Sequence, residues 1–267
     1  MRQSKTVWFQ AAFFTIAALA LVSCAEDAVA RRKKAIVHLN LSDTYFREGQ
    51  LPAALGEALK AMKLDDENPS IHNELGQIYA TRGEFDKAAH HFNESIKIRP
   101  DFSDAYNNLG ALYLNMGEWD KAIEQFHVAL SNPLYQTPHY AHTNMGWAYY
   151  RKGDHEQAIR HYHLALRFAP RFSLAFNNLG LAFMSQNKDE EALDAFQRAV
   201  NYYPSYAEAR CHMGDLFLRQ KQEIKAMAAF EEVIRLSPDS IWGRHARKAM
   251  AELEQITPGA QDVNVHR

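Results

Sequence analysis

Residues 103–134 read SDAYNNLGALYLNMGEWDKAIEQFHVALSNPL, with a spine of Tyr106, Leu109, Gly110, Tyr113, Ala122, Phe126 and Ala129. The spine recurs. Glycine followed three residues later by an aromatic appears at Gly76/Tyr79, Gly110/Tyr113, Gly146/Tyr149, Gly180/Phe183 and Gly214/Phe217, at intervals of 34, 36, 34 and 34 residues. Twelve positions after each glycine stands an alanine (Ala88, Ala122, Ala158, Ala192, Ala226), and sixteen after it an aromatic (Phe92, Phe126, Tyr162, Phe196, Phe230). Pro100, Pro170, Pro204 and Pro238 follow four of the five glycines by 24 positions. Each unit carries two amphipathic patterns split by a polar turn such as Met116-Gly117-Glu118-Trp119-Asp120, so each is a helix pair. Glycine inside a helix costs about 1 kcal/mol relative to alanine. Its recurrence marks a point where a neighbouring helix comes too close for a side chain, with the alanines on the facing side and the aromatic filling the gap beyond. Proline cannot continue a helix and ends each second one.

This period and residue pattern resemble the tetratricopeptide repeat, and the resemblance covers most of the chain. It implies an all-α fold, a tetratricopeptide-repeat superhelical solenoid of about six helix pairs with a C-terminal capping helix. Extended backwards, the register reaches a degenerate first repeat. There Ser42 replaces the glycine and Ala58 the aromatic, while Leu41, Tyr45, Ala54 and Ala61 keep their places. Terminal repeats are commonly atypical because one face meets solvent. The expected organisation is a signal peptide over 1–23, a lipidated tether over 24–34, six repeats over 35–238, a capping helix over 239–256 and a disordered tail over 257–267. The longer interval, between repeats three and four, falls at Ser131-Asn132-Pro133-Leu134-Tyr135-Gln136-Thr137-Pro138, which reads as a stiffer inter-repeat loop with an exposed aromatic.

The chain starts with a basic segment, an apolar run from Thr6 to Val22 and then Leu21-Val22-Ser23-Cys24. That order describes a secretory signal, and its last four residues resemble the lipobox of bacterial lipoproteins. The resemblance implies cleavage before Cys24 and acylation, including palmitate, of that cysteine. A membrane-spanning anchor is disfavoured, because about 17 residues is the bottom of the spanning range and Gln10 interrupts the run. Acyl chains would hold the protein on the membrane without spanning it. Ala25 after the cysteine implies, by resemblance to lipoprotein sorting, the periplasmic face of the outer membrane.

Net charge is −2 with both signs interspersed, which disfavours a nucleic-acid partner. Two cysteines, Cys24 and Cys211, give no disulfide framework, and Cys211 reads as a small buried filler. The chain has 13 histidines, but His38, His72 and His142 share one repeat position, four before the glycine or its equivalent, where an inter-helix packing residue sits. With no cysteine or carboxylate cluster at ligand spacing, no metal site is expected. No phosphate-cradling loop, nucleophile elbow or HExxH motif is present. The sequence therefore predicts no catalytic residue, no cofactor and no small-molecule substrate.

Binding remains. In the tetratricopeptide fold the first helices of the units line a groove, at positions about three and two before the glycine and one and four after it. The first two positions give Asn73, Asn107, Asn108, Asn144, Asn177 and Asn178, with Asn40 in the first repeat. An amide both donates and accepts, so such a row could hold the main chain of an extended peptide, or it could be a family preference. The other two give Leu114, Trp147, Tyr150, Leu181 and Met184, an apolar and aromatic strip. Family members that clamp acidic chaperone tails carry lysine and arginine there, so an acidic-tail clamp is disfavoured. Anchor, repeats and the Asn-Pro-Leu-Tyr insertion together resemble the pilotin lipoproteins of type IV pilus biogenesis. That implies a partner in the outer-membrane secretin. A periplasmic lipoprotein scaffold that recruits cell-wall enzymes to the envelope uses the same features and is the alternative.

Overall fold

The computed structural model describes residues 27–256, and every regular element among them is an α-helix. The chain divides into two compact units, one up to Met116 and one from Gly117. The first holds α1 (27–47), α2 (Leu51–Leu64), α3 (Pro69–Thr81), α4 (Phe85–Ile98) and α5 (Ser103–Asn115). The second holds α6 (Trp119–Ser131), α7 (Pro138–Arg151), α8 (His155–Phe168), α9 (Ser173–Ser185), α10 (Asp189–Tyr202), α11 (Ala207–Arg219), α12 (Glu223–Leu236) and α13 (Ile241–Ile256). Within each unit, successive helices pack on one another in a run of helix pairs, the all-α array that the 34-residue period predicts.

What closes a pair is an aromatic ring seated on a bare Cα. A Cβ on Gly180 of α9 would lie 2.5 Å from Cε1 of Phe196 on α10, and Gly76 with Phe92, Gly146 with Tyr162 and Gly214 with Phe230 repeat the approach. Phe92, Tyr162, Phe196 and Phe230 are all buried, as are Ala88, Ala158, Ala192 and Ala226 beside them. Tyr162 differs from its counterparts in one respect. Its hydroxyl is buried with no hydrogen-bond partner in the protein, and burial pushes its ionisation well above the ordinary tyrosine value.

The turn inside each pair needs a left-handed residue, seven positions after the spine glycine or its equivalent. Gly49, Gly83, Gly117 and Gly153 supply it with φ between 75° and 84°, whereas Asn187 (58°) and Lys221 (59°) take it in the last two repeats. Between pairs the chain leaves the helix extended, and Pro100, Pro170, Pro204 and Pro238 each stand two residues beyond the end of α4, α8, α10 and α12. Pro138 has the opposite use: it opens α7, where its missing N–H costs nothing. Within the 131–138 loop, Asn132 Oδ1 accepts from the Leu134 N–H at 2.9 Å. The aromatic expected to be exposed there, Tyr135, is half-buried, and Leu134 takes the solvent instead, at 77% exposure.

The first repeat lost glycine and ring together, and the two losses compensate. Ala58 occupies the ring's position and is buried, so nothing forces a bare Cα at residue 42. Ser42 is buried too, with its Oγ 3.0 Å from the Ala54 carbonyl and 3.1 Å from Glu74 Oε1. Residues 27–34 of the expected tether continue α1 as its first two turns, with Arg31, Arg32, Lys33 and Lys34 exposed. At the other end α13 begins at Ile241, where Ser240 Oγ accepts from the Gly243 N–H at 3.0 Å. The signal segment 1–23, Cys24 and the tail 257–267 lie outside the described residues. Among the described residues no helix is long and apolar enough to cross a membrane.

Two substitutions test the ring-on-glycine contact. Gly180→Ala improves helix propensity by about 1 kcal/mol but must displace the Phe196 ring, and overpacking costs about 1–3 kcal/mol. A net destabilisation of about 1 kcal/mol in urea unfolding is expected, and an unchanged or raised stability would show the ring free to shift. Tyr162→Phe removes an unsatisfied hydroxyl and should stabilise by about 1 kcal/mol.

Candidate functional site

The residues expected to line a groove fall in both units, and each part has its own geometry. In the first unit, Asn108 on α5 donates its amide to Asn73 Oδ1 on α3 at 3.0 Å, while Asn107 Nδ2 lies 3.4 Å from Asn108 Oδ1. Asn73 and Asn107 are buried, whereas Asn108 and Leu114 are half-buried. These amides tie the first helix of one repeat to the first helix of the next.

In the second unit Asn177 on α9 is fully buried, its Nδ2 reaching Glu208 Oε1 on α11 at 3.3 Å and Asn178 Oδ1 at 3.4 Å. Its own Oδ1 has no partner. Asn178 is buried and Asn144 half-buried. A side chain closed off like that of Asn177 cannot meet an external peptide without helix movement, so its amide serves the inter-repeat contact. Beside Asn144, the accessible residues of the set in this unit are aromatic and apolar. Trp147 on α7 stacks on Tyr150 at 5.1 Å and 15°. Arg151 lies with its guanidinium 5.9 Å from the Trp147 ring and 4.7 Å from that of Trp119 on α6. Tyr150 Oη sits 3.3 Å from Ser185 Oγ on α9. Leu181 and Met184 are half-buried, leaning on the core around Phe196. Trp147, Tyr150 and Arg151 thus form a half-open aromatic platform with a cation beside it.

The histidines pair across the helix pair, not along one helix. His72 Nδ1 lies 3.1 Å from His91 Nδ1, and His142 Nδ1 lies 3.2 Å from His161 Nδ1, the same 19-residue separation in repeats two and four. His91 stacks on Tyr79 and His161 on Tyr149, each at 5.4 Å. His72 Nε2 is 3.0 Å from the Asp66 carbonyl, which can only accept. Nε2 therefore carries the proton, and in the neutral ring Nδ1 accepts from the Nδ1–H of His91. In the first repeat Glu57 stands in the second histidine's place and bonds His38 Nδ1 at 2.6 Å. The shared repeat position is thus a packing position, as its recurrence predicts.

Two further features lie outside the expected set. Cys211 and Asp215 on α11 and His245 on α13 bring one donor atom each within 4.8 Å of one another, which corrects the expectation that no cysteine–carboxylate cluster exists. Cys211 is fully buried, as expected, and burial followed by the charge of Asp215 pushes its thiol up to about 12. A sequence signal was present: His245 stands 34 residues after Cys211, the same position one period on. The second feature is a cleft of about 830 Å³ among α8, α9 and α10, floored by Leu166, Phe176 and Phe183 and rimmed by Arg167, Glu190 and Asp194. None of the expected groove residues lines it.

Against known proteins, family models described as "TPR repeat" match residues 76–117 and 180–221, and those described as "Tetratricopeptide repeat" match 103–132, 139–172 and 207–240. Together these cover more than half of the chain. No curated protein matches the sequence. Among solved structures, the chain is similar to Pseudomonas aeruginosa PilF (TM-score 0.71, 16% identity, covering 84% of this chain and 99% of that one). It is also similar to PilW, a widely conserved type IV pilus biogenesis factor (TM-score 0.73, 21% identity, covering 81% and 98%). A third, YrrB, a TPR protein with an unusual peptide-binding site, overlaps at TM-score 0.51 with 18% identity, covering 72% and 97%.

The paired histidines make a pH prediction. Burial, with neighbouring histidines adding to it, lowers His91, His142 and His161 from 6.5 to about 4. The folded rings stay neutral where the unfolded chain's histidines take up protons. The unfolded state therefore binds more protons between about pH 6.5 and pH 4, and stability falls as pH falls through that window. Urea midpoints should be level above pH 7 and decline below 6.5. The decline should be shallower for the His91→Gln/His161→Gln double variant, and an unchanged slope would remove these pairs as its source.

Proposed function

Since the chain belongs to the tetratricopeptide-repeat family, whose fold serves protein recognition, we propose that it is a lipid-anchored outer-membrane protein that binds secretin subunits. It promotes their localisation and assembly for type IV pilus biogenesis. The observation that carries this reading is the match in extent. One helical array overlays 98% of PilW, a pilus biogenesis factor, and 99% of PilF, with no long segment of either left over. The Leu21-Val22-Ser23-Cys24 lipobox ahead of the array supports the anchor and the address.

The partner meets the Trp147–Tyr150–Arg151 platform. An aromatic pair with one edge in solvent gives a protein segment apolar area at little entropic cost, because the rings are already stacked on each other. The buried asparagines hold the helices that present it, while Asn108 and Asn144 remain within reach of a bound chain.

Deleting the gene and blotting for heat-resistant secretin multimers tests the role: multimers should give way to monomer, and undiminished multimers would sink the idea. Trp147→Ala should weaken secretin capture at least about tenfold with helical content unchanged and the melting temperature little moved. A collapse of folding would instead make Trp147 structural. Cys24→Ser should abolish palmitate labelling and membrane retention, and a variant still labelled would refute lipidation at that residue.

A further inference from the structure

Among the described residues, the one place where the fold collects a sulfur, a carboxylate and an imidazole is the junction of α11 with α13. Cys211 and Asp215 lie one turn apart on the same face of α11, and α13 delivers His245 to them. His245 Nε2 is 2.8 Å from Asp215 Oδ1, and the three donor atoms lie within 4.8 Å of one another. Cys211 is fully buried, while the side chains of Asp215 and His245 are 33% and 48% exposed. The sulfur is therefore fixed by the core and the other two donors stand on its solvent side.

Taken separately the parts have ordinary explanations. A partly exposed Asp–His pair contributes about 0–1 kcal/mol, and a buried cysteine fills space as a small apolar residue. Neither explains why the pair is docked onto the sulfur. A tetrahedral zinc ion does, because it combines one soft thiolate with nitrogen and oxygen donors. Bonds of about 2.0–2.3 Å place such donors about 3.3–3.6 Å apart. To reach that geometry, side-chain rotation of Asp215 and His245 must open their 2.8 Å contact and bring both donor atoms toward the sulfur, from within 4.8 Å.

We propose that Cys211, Asp215 and His245 form a site for zinc or a similar divalent transition metal, which staples α13 to the last repeat. Binding forms Zn–S, Zn–O and Zn–N bonds and breaks the S–H bond of Cys211, whose proton goes to solvent. His245 offers its Nε2 lone pair once its proton resides on Nδ1, with no net change in the ring. Three protein ligands leave the fourth position open toward solvent, so the metal can also accept a water or a carboxylate from outside the chain. The site stands or falls independently of the pilus reading.

Cobalt(II) titration of the full chain tests it. The wild type should develop thiolate-to-cobalt charge-transfer absorption together with the intense d–d bands of a tetrahedral ion, and zinc should displace the cobalt and raise the melting temperature. Cys211→Ser should lose the charge-transfer band, His245→Ala should weaken binding at least about tenfold, and Cys24→Ser should change neither. Far-UV circular dichroism of the apo variants, unchanged from wild type, separates loss of metal from loss of fold. The proposal is overturned if the wild type shows no charge-transfer band or if the band survives in Cys211→Ser. It is equally overturned if zinc stabilises Cys211→Ser as much as wild type, which would place the metal elsewhere, for instance on the histidine pairs.

Discussion

A ring lying against a bare Cα is the contact on which the helix pairs at Gly76, Gly146, Gly180 and Gly214 depend. With a Cβ on Gly180 the helices of that pair could not approach as they do, because the position is already occupied by Phe196. Close approach then requires small residues on the facing side, which accounts for the fully buried alanines twelve positions on. It also fixes which face of each first helix looks at its own partner and which remains for the next repeat. The first repeat shows the rule by exception, since Ser42 is admitted only where Ala58 has replaced the ring.

Polar groups occupy what the rings leave over. Between first helices the contact is made by amides, Asn108 to Asn73 in one unit and Asn177 to Glu208 in the other. Between the two helices of a pair it is made by imidazoles, His72 to His91 and His142 to His161. Both kinds are directional, and a buried donor left unpaired costs about 1–3 kcal/mol. A repeat shifted by one residue would break several such bonds at once, so these networks define register where apolar packing alone would be more forgiving. On the proposed reading, the surface left for a partner is the platform of Trp147, Tyr150 and Arg151.

Periodicity made the pairs, their turns and their ends legible, because glycine, alanine, ring and proline each answer a steric demand that repeats every 34 residues. The fate of polar side chains was less visible. A register position says which face a residue occupies, but whether Asn73 meets solvent or the amide of Asn108 depends on what the neighbouring repeat presents there. The imidazole pairs were missed for a similar reason: a 19-residue separation becomes a contact only after the pair has folded back. The Cys211–His245 relation is legible in principle, being one full period, but a capping helix over 239–256 gives no reason by itself to look for a partner of Cys211 there. The division after Met116 has no mark in the sequence, since the spine runs through 103–134 without interruption.

The two kinds of connection differ in how much length they can absorb. Inside a pair, one residue must turn left-handed at a fixed distance from the glycine, and even Asn187 and Lys221 conform. An added residue there would rotate the second helix by about 100° and carry its ring off the glycine. Between pairs the chain leaves the helix through a short turn, and the stretch from Ser131 to Pro138 has taken two extra residues while leaving α6 and α7 of ordinary length. Each repeat thus contains one junction closed to insertion and one open to it. A loop or tag grafted into this chain belongs between Asn132 and Thr137, where the fold has already accommodated one.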